Sequence, residues 1–210
     1  MIKHLLAALA LFICIFSGTL ASAQTASFSY NDGVGTPNAG TYTPGSSFTF
    51  AINLAFTPGG SVANLEGFSY WFEQQNPSAP FNFAITNRDT TGSMFTDVQS
   101  SPSYPQNMTP QNANDLGALL PNGQSALGTG TYFVADLTIS ISASAAPGTY
   151  VIENTTTGGK TSQAFDSQGH GVAIPQATYT ITVVPEPSSL GLLALGVSIL
   201  GYRCRKFLAT

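Results

Sequence analysis

Cysteine is almost missing from this chain of 210 residues, and its two copies lie at the ends: Cys14 in an N-terminal apolar run, Cys204 in a basic tail. The stretch between them has no disulfide framework, no thiolate metal site and no cysteine nucleophile, so its stability must come from packing. Charge is scarce too. Asp, Glu, Lys and Arg make up 8% of the chain, against ~25% in ordinary soluble domains, and polar contacts fall to Ser, Thr, Asn and Gln. Positive charge is scarcest: between Gln24 and Val184 only Arg88 and Lys160 stand against nine acids, a formal balance of −7. A field of that sign repels phosphate backbones and excludes nucleic acid as a partner. It is compatible with neutral glycans or divalent cations.

The residues needed for catalysis are equally thin. The middle has one histidine, His170, in Asp166-Ser167-Gln168-Gly169-His170-Gly171. Nothing there supplies an oxyanion hole, and no Gly-x-Ser-x-Gly occurs, so it reads as a loop histidine. Glu66 and Glu73 are the evident carboxylate pair. On one strand, seven residues apart, they face opposite sides at a separation of roughly 23 Å, beyond the ~5–10 Å that glycoside hydrolysis uses. They read as two solvated edge or loop carboxylates, and the middle as non-enzymatic.

No cofactor is implied. Zinc is excluded by one histidine and no cysteine, whereas calcium asks only for carboxylate and carbonyl oxygens. Tyr30-Asn31-Asp32-Gly33 and the segment from Asn112 to Asp115 could each present such oxygens, without EF-hand spacing. Asp32 before Gly33 also reads as turn chemistry.

What the middle does have is alternation. Phe48, Phe50, Ile52, Leu54 and Phe56 alternate with polar or small residues, a half-buried strand of period two between Pro44-Gly45 and Pro58-Gly59-Gly60. Further strands are expected at Leu65 to Glu73 and Phe81 to Ile85. Phe133, Ala135, Leu137, Ile139 and Ile141 make a second long alternation. Pro147-Gly148 then turns the chain into Thr149 to Glu153, and the last strand, Ala177 to Val184, turns Tyr179, Ile181 and Val183 inward. A short helical turn is the most that residues after Asn112 or Asn114 through Leu120 offer. Gln99 to Gly128 is a polar loop. The expected fold class is all-β, an antiparallel β-sandwich, and its order of strands and turns resembles jelly-roll or cohesin-like modules. Trp71, opposite in parity to Phe68, Tyr70 and Phe72, faces outward if those face the core, and Tyr104 lies in the polar loop; both are candidate glycan contacts. The alternative for Trp71 is a strand covered on both faces.

The two ends are addresses. Lys3 and His4, the apolar run from Leu5 to Phe16 and the small residues Ala21-Ser22-Ala23 form a secretory leader, residues 1–23, cut after Ala23. At the other end, Pro185 and Pro187 lock an extended Pro185-Glu186-Pro187 tripeptide. An uncharged stretch from Ser188 to Tyr202 follows, then Arg203, Cys204, Arg205 and Lys206. As a helix that stretch rises about 22 Å, short of the ~30 Å hydrocarbon core, and its basic flank sets which side stays cytoplasmic.

This combination resembles the PEP-CTERM sorting signal of Gram-negative, exopolysaccharide-producing bacteria, over about 25 residues at 185–210. The resemblance implies an exosortase-type membrane protease as partner, with Pro185, Glu186 and Pro187 as recognition motif. It implies a single transmembrane helix at Leu190 to Tyr202, a membrane stop at Arg203, Arg205 and Lys206, and release to the envelope or matrix. An uncut C-terminal anchor is the other reading. Residues 24–184 then form the delivered domain, whose order of strands and turns is similar to cohesin-like and carbohydrate-binding modules. The expectation is an exported, non-enzymatic surface or matrix protein, or else a glycan-binding module.

Overall fold

The computed structural model describes residues 24–33, 38–60, 62–75, 82–99, 103–108, 115–156 and 160–185. The leader with Ala21 and Ala23, the residues Glu186 and Pro187, the apolar span, and Arg203, Arg205 and Lys206 lie outside them. Among the described residues every helix or strand element is a strand, and no helix is long and apolar enough to cross a membrane. In chain order the strands are β1 Thr25–Asn31, β2 Ala39–Tyr42, β3 Ser47–Thr57, β4 Gly67–Ser69, β5 Phe72–Gln74, β6 Phe83–Asp89, β7 Asp97–Val98, β8 Gln106–Asn107, β9 Ala118–Leu119, β10 Gly130–Ile141, β11 Gly148–Asn154, β12 Gln163–Phe165, β13 Gly171–Ala173 and β14 Thr178–Val183.

One layer is the sheet β1-β3-β10-β6-β8; the other holds β2-β14-β11-β5 and β13-β12-β4-β9-β7. Strict alternation builds the interface between them. Ala26, Phe28 and Tyr30 of β1, Phe48 to Phe56 of β3, and Tyr179, Ile181 and Val183 of β14 are all buried, while the residues between them are exposed or half-buried. Rings meet across the gap: Phe28 packs edge-on to Tyr70 at 4.6 Å, Phe50 stacks on Tyr179 at 5.1 Å, and Phe83 meets Tyr150 edge-on at 5.2 Å. Each such ring contributes about 2 kcal/mol through area removed from water.

Three features depart from the expected pattern. The strand expected from Leu65 to Glu73 is two short strands in different sheets, with the chain crossing at Tyr70 and Trp71. Partner strand β11 breaks at the same level: Thr155 N–H donates to Trp71 O at 2.9 Å, and Ser162 N–H rejoins at Thr155 O at 3.1 Å. Gln74, Glu73 and Phe72 of β5 pair with β11, and Gly67 to Ser69 of β4 pair with β12, so the two halves of the divided strand keep antiparallel partners on either side of this break.

In β10 the register shifts between Phe133 and Ala135, so Val134 and Ala135 are both buried and Phe133, expected inward, is half-buried. An extra residue in one strand reverses the parity of everything before it. Finally, β2 pairs with β14 in parallel, a departure from a wholly antiparallel sandwich.

A buried amide ties the layers together. Asn154 is fully buried; its Oδ1 accepts from Ala177 N–H at 2.7 Å and from the Tyr30 hydroxyl at 3.3 Å, and its Nδ2 donates to Pro175 O at 3.3 Å. Both ends of the side chain are therefore satisfied, as a polar group out of water requires.

Candidate functional site

The C-terminal signal leaves the domain from a central strand. β14 lies between β11 and β2, and its last ladder contact is Val184 N–H to Tyr42 O at 2.9 Å. Pro185, next in the chain, is exposed and has no N–H to continue the ladder. The proline that opens the sorting motif is thus also the residue that ends the sheet.

Beside this exit lies a cleft of about 260 Å³ lined by Asp32, Gly40, Thr41, Tyr42, Phe48 and Thr49. The turn after β1 aims Asp32 into it. Asn31 Oδ1 accepts Gly33 N–H at 2.8 Å, Gly33 takes φ 71°, and Asn38, at φ 62°, accepts Tyr30 N–H on its own side chain at 2.9 Å. Tyr179 donates its hydroxyl to Asp32 Oδ2 at 2.7 Å, Tyr42 reaches the same oxygen at 3.2 Å, and the two hydroxyls lie 2.7 Å apart. Behind them Tyr42 stacks on Phe48 at 4.1 Å, and Phe48 stacks on Tyr179 at 5.7 Å. Gly40 is obligatory, because a Cβ there would run into the hydroxyls of Tyr42 and Tyr179. Burial is the chief cause that pushes both phenols above their ordinary pKa, so they remain protonated donors at neutral pH.

In the segments considered for calcium, side-chain oxygens of the described residues accept from the protein itself. In the first, Asn31 closes the turn and Asp32 receives the tyrosines. In the second, Asn112 lies outside the described residues, while Asp115 Oδ1 accepts Tyr70 N–H and Gly117 N–H, both at 2.8 Å. The helical turn expected to run through Leu120 is replaced by strand β9. Among the described residues no group of three or more His, Cys, Asp or Glu gathers to hold a metal.

The candidate glycan aromatics fall on separate elements. Trp71 is half-buried at the crossing, its N–H donating to Ser162 Oγ at 3.4 Å. Tyr104 is 36% exposed and close enough to Arg88 to feel its charge. His170 and Asp166 close the β12–β13 hairpin: Asp166 accepts His170 N–H at 2.9 Å and lies 3.0 Å from its Nδ1.

The carboxylates correct the sequence reading. Glu66 is half-buried, but Glu73 is buried, and β5–β11 register sets it directly opposite buried Glu153. Glu73, expected as a solvated edge or loop carboxylate, is instead buried, with Glu153 as its cross-strand neighbour. Glu153 Oε2 is buried without a hydrogen bond. Burial foremost, then the charge of Glu73, raises the Glu153 pKa, against a hydrogen bond from Gln176.

A carboxyl raised in the fold contributes stability that is complete below its unfolded pKa and is lost as pH rises through the folded value. Glu153→Gln is therefore expected to gain on the order of 1 kcal/mol over wild type at pH 7.5, as relief of like charges across a ladder, and to lose that advantage near pH 4. Urea unfolding of both proteins at the two pH values checks it; a variant less stable at pH 7.5 would refute the opposed pair.

The family description of the PEP-CTERM protein-sorting motif matches residues 183–206. No curated protein matches the chain. Among solved structures, the fold is similar to the solution structure of CaCohA2 from Clostridium acetobutylicum, with TM-score 0.52 and 13% identity over 77% of this chain and 92% of that one. It is similar also to a type I cohesin–dockerin complex from Clostridium thermocellum, with TM-score 0.50 and 11% identity over 76% and 99%. At that identity the likeness concerns fold, and the fold is a cohesin-like β-sandwich. A PEP-CTERM motif in turn implies an exported protein whose sorting involves an exosortase.

Proposed function

We propose that this chain, a cohesin-like sandwich followed without a linker by a PEP-CTERM motif, is a non-enzymatic component of the cell surface or exopolysaccharide matrix, and that the sandwich is a binding module. The observation that carries the reading is the junction at Val184 and Pro185, within the matched span 183–206, where the last ladder bond of a central strand is followed by the first residue of the Pro-Glu-Pro tripeptide. Among the described residues every strand of the sheets ends before Pro185, and a sorting protease would cut beyond it. The leader ending at Ala23 brings residues 24–184 across the inner membrane. The apolar span with Arg203, Arg205 and Lys206 holds the precursor there until an exosortase-type protease recognises Pro185, Glu186 and Pro187.

Two kinds of partner fit a binding module. In the Clostridium thermocellum complex a cohesin engages a dockerin, and a protein partner is the corresponding reading here. A glycan is the second, with Trp71 and Tyr104 as outlying contacts; the aromatic and carboxylate groups lining the Asp32 cleft favour it.

Replacing Pro185, Glu186 and Pro187 together by alanine is expected to abolish processing. Intact-mass spectrometry of membrane and medium fractions from the native cell should show the wild type trimmed at both ends and the variant retained in the membrane with its tail. A variant trimmed and released like wild type would remove the exosortase reading.

A further inference from the structure

We propose that the cleft between Asp32, Thr41, Tyr42 and Phe48 binds one pyranose unit of a neutral glycan. The proposal rests on the reading of the domain as an exported binding module and names a ligand class and a place for it.

Size comes first. A space of about 260 Å³ lies just under the ~300–1,000 Å³ of sites that enclose drug-sized molecules, which suits a single six-membered ring with its hydroxyls. The lining matches the two sides of such a ring. A pyranose carries an apolar C–H face, and the cleft offers aromatic surface from half-buried Tyr42, stacked on Phe48. It also carries a rim of hydroxyls, and the cleft is lined by Asp32 and by exposed Thr41 and Thr49, the last with its Oγ1 also 2.9 Å from Thr138 Oγ1.

Asp32 is half-buried, and both tyrosine hydroxyls converge on its Oδ2. An internal strut needs no opening beside it, and here the same carboxylate lines one. Gly40 keeps the floor free, since any side chain there would displace the tyrosine hydroxyls.

Charge selects among sugars. Asp32 in the cleft and the −7 balance between Gln24 and Val184 repel uronates and sulfated glycans. Between uncharged and anionic sugars, the cleft therefore takes the uncharged.

The test is saturation-transfer NMR on the mature protein from its native host, with the methyl pyranosides of glucose, galactose, mannose and N-acetylglucosamine at millimolar concentration, and methyl glucuronide as the anionic probe. Transfer to at least one neutral sugar, strongest at its C–H protons, and none to the glucuronide, is expected. Asp32→Asn keeps an oxygen that both tyrosines can reach but removes the charge; it should weaken binding about tenfold or more, the size of a charge-assisted hydrogen bond. Thr41→Trp, at an exposed edge position, should fill the cleft and abolish binding while leaving the unfolding midpoint near wild type.

No transfer to any of the four neutral sugars overturns the proposal. So does binding that survives both substitutions, or binding lost in Trp71→Ala instead, which would move the glycan reading to Trp71. Export is read separately by intact mass, so a domain that is processed correctly but binds no sugar sinks the cleft and leaves the export reading in place.

Discussion

Phe50→Ala is expected to cost about 3–5 kcal/mol, the range for truncating a buried aromatic, and to lower the melting temperature of the domain by roughly 6–20 °C. Phe50 is 1% exposed in the middle of β3. Its ring meets four others: Tyr30 at 5.5 Å, Phe48 at 6.0 Å, Phe72 at 5.7 Å and Tyr179 at 5.1 Å. These come from both layers, so the cavity left by alanine is walled by residues whose own backbones are held in ladders and cannot collapse into it.

The stacked rings add about 0.5–1.5 kcal/mol per pair beyond their buried area. With a total stability of ~5–15 kcal/mol, the loss is a large share of the whole. Urea denaturation of the mature protein measures it, with Phe50→Leu as the milder companion. A loss below about 1 kcal/mol, against the range above, would mean that the rings do not meet as described.

Asp115→Ala is expected to cost about 2–4 kcal/mol, because one carboxylate oxygen holds two backbone N–H groups that nothing else then satisfies. Asp115 Oδ1 accepts Tyr70 N–H and Gly117 N–H, and Leu116 N–H donates back to Tyr70 O at 2.6 Å. Together these fasten the segment before β9 onto the point where the chain passes from one sheet to the next. Gly117 fits there because a Cβ would press on Phe68 O. Asp115→Asn retains an acceptor and should cost much less. Hydrogen exchange adds a local readout: the Tyr70 amide should lose protection in the alanine variant well before β3 does. Equal protection of Tyr70 in wild type and Asp115→Ala would show that the clamp is idle.

Much of the framework was legible in the sequence. The long alternations became β3 and most of β10, and the inward set Tyr179, Ile181 and Val183 of the last strand is buried as expected. β1 was missed although Ala26, Phe28 and Tyr30 alternate with Thr25, Ser27, Ser29 and Asn31 in the same way; the signal was there to be counted. The short strands β7, β8, β9, β12 and β13 had no such signal. Two or three residues are too few for a period to register, and such strands exist only because a neighbour offers a ladder.

The candidate sites divide similarly. Trp71 and Tyr104 stand out in the sequence as aromatics at promising positions, yet the cleft is lined by Tyr42, Phe48 and Asp32, of which the sequence marks Phe48 only as a core strand residue and Asp32 as a calcium oxygen donor or turn residue. Tyr42 lies on a four-residue edge strand whose parallel pairing with β14 no local pattern announces.

By itself the sequence determined the sorting motif and the all-β framework: the PEP-CTERM tail and the period-two alternation depend on residues close together in the chain, so reading along it recovers them. The tertiary structure alone decided which groups face one another. Asp32 meets Tyr179 across 147 positions, and Glu73 lies opposite Glu153. Both outcomes turn on interstrand register, and a shift of one residue reverses every side chain it governs. That register is settled by packing between layers, where Phe50, Tyr179 and Asn154 meet the opposite sheet.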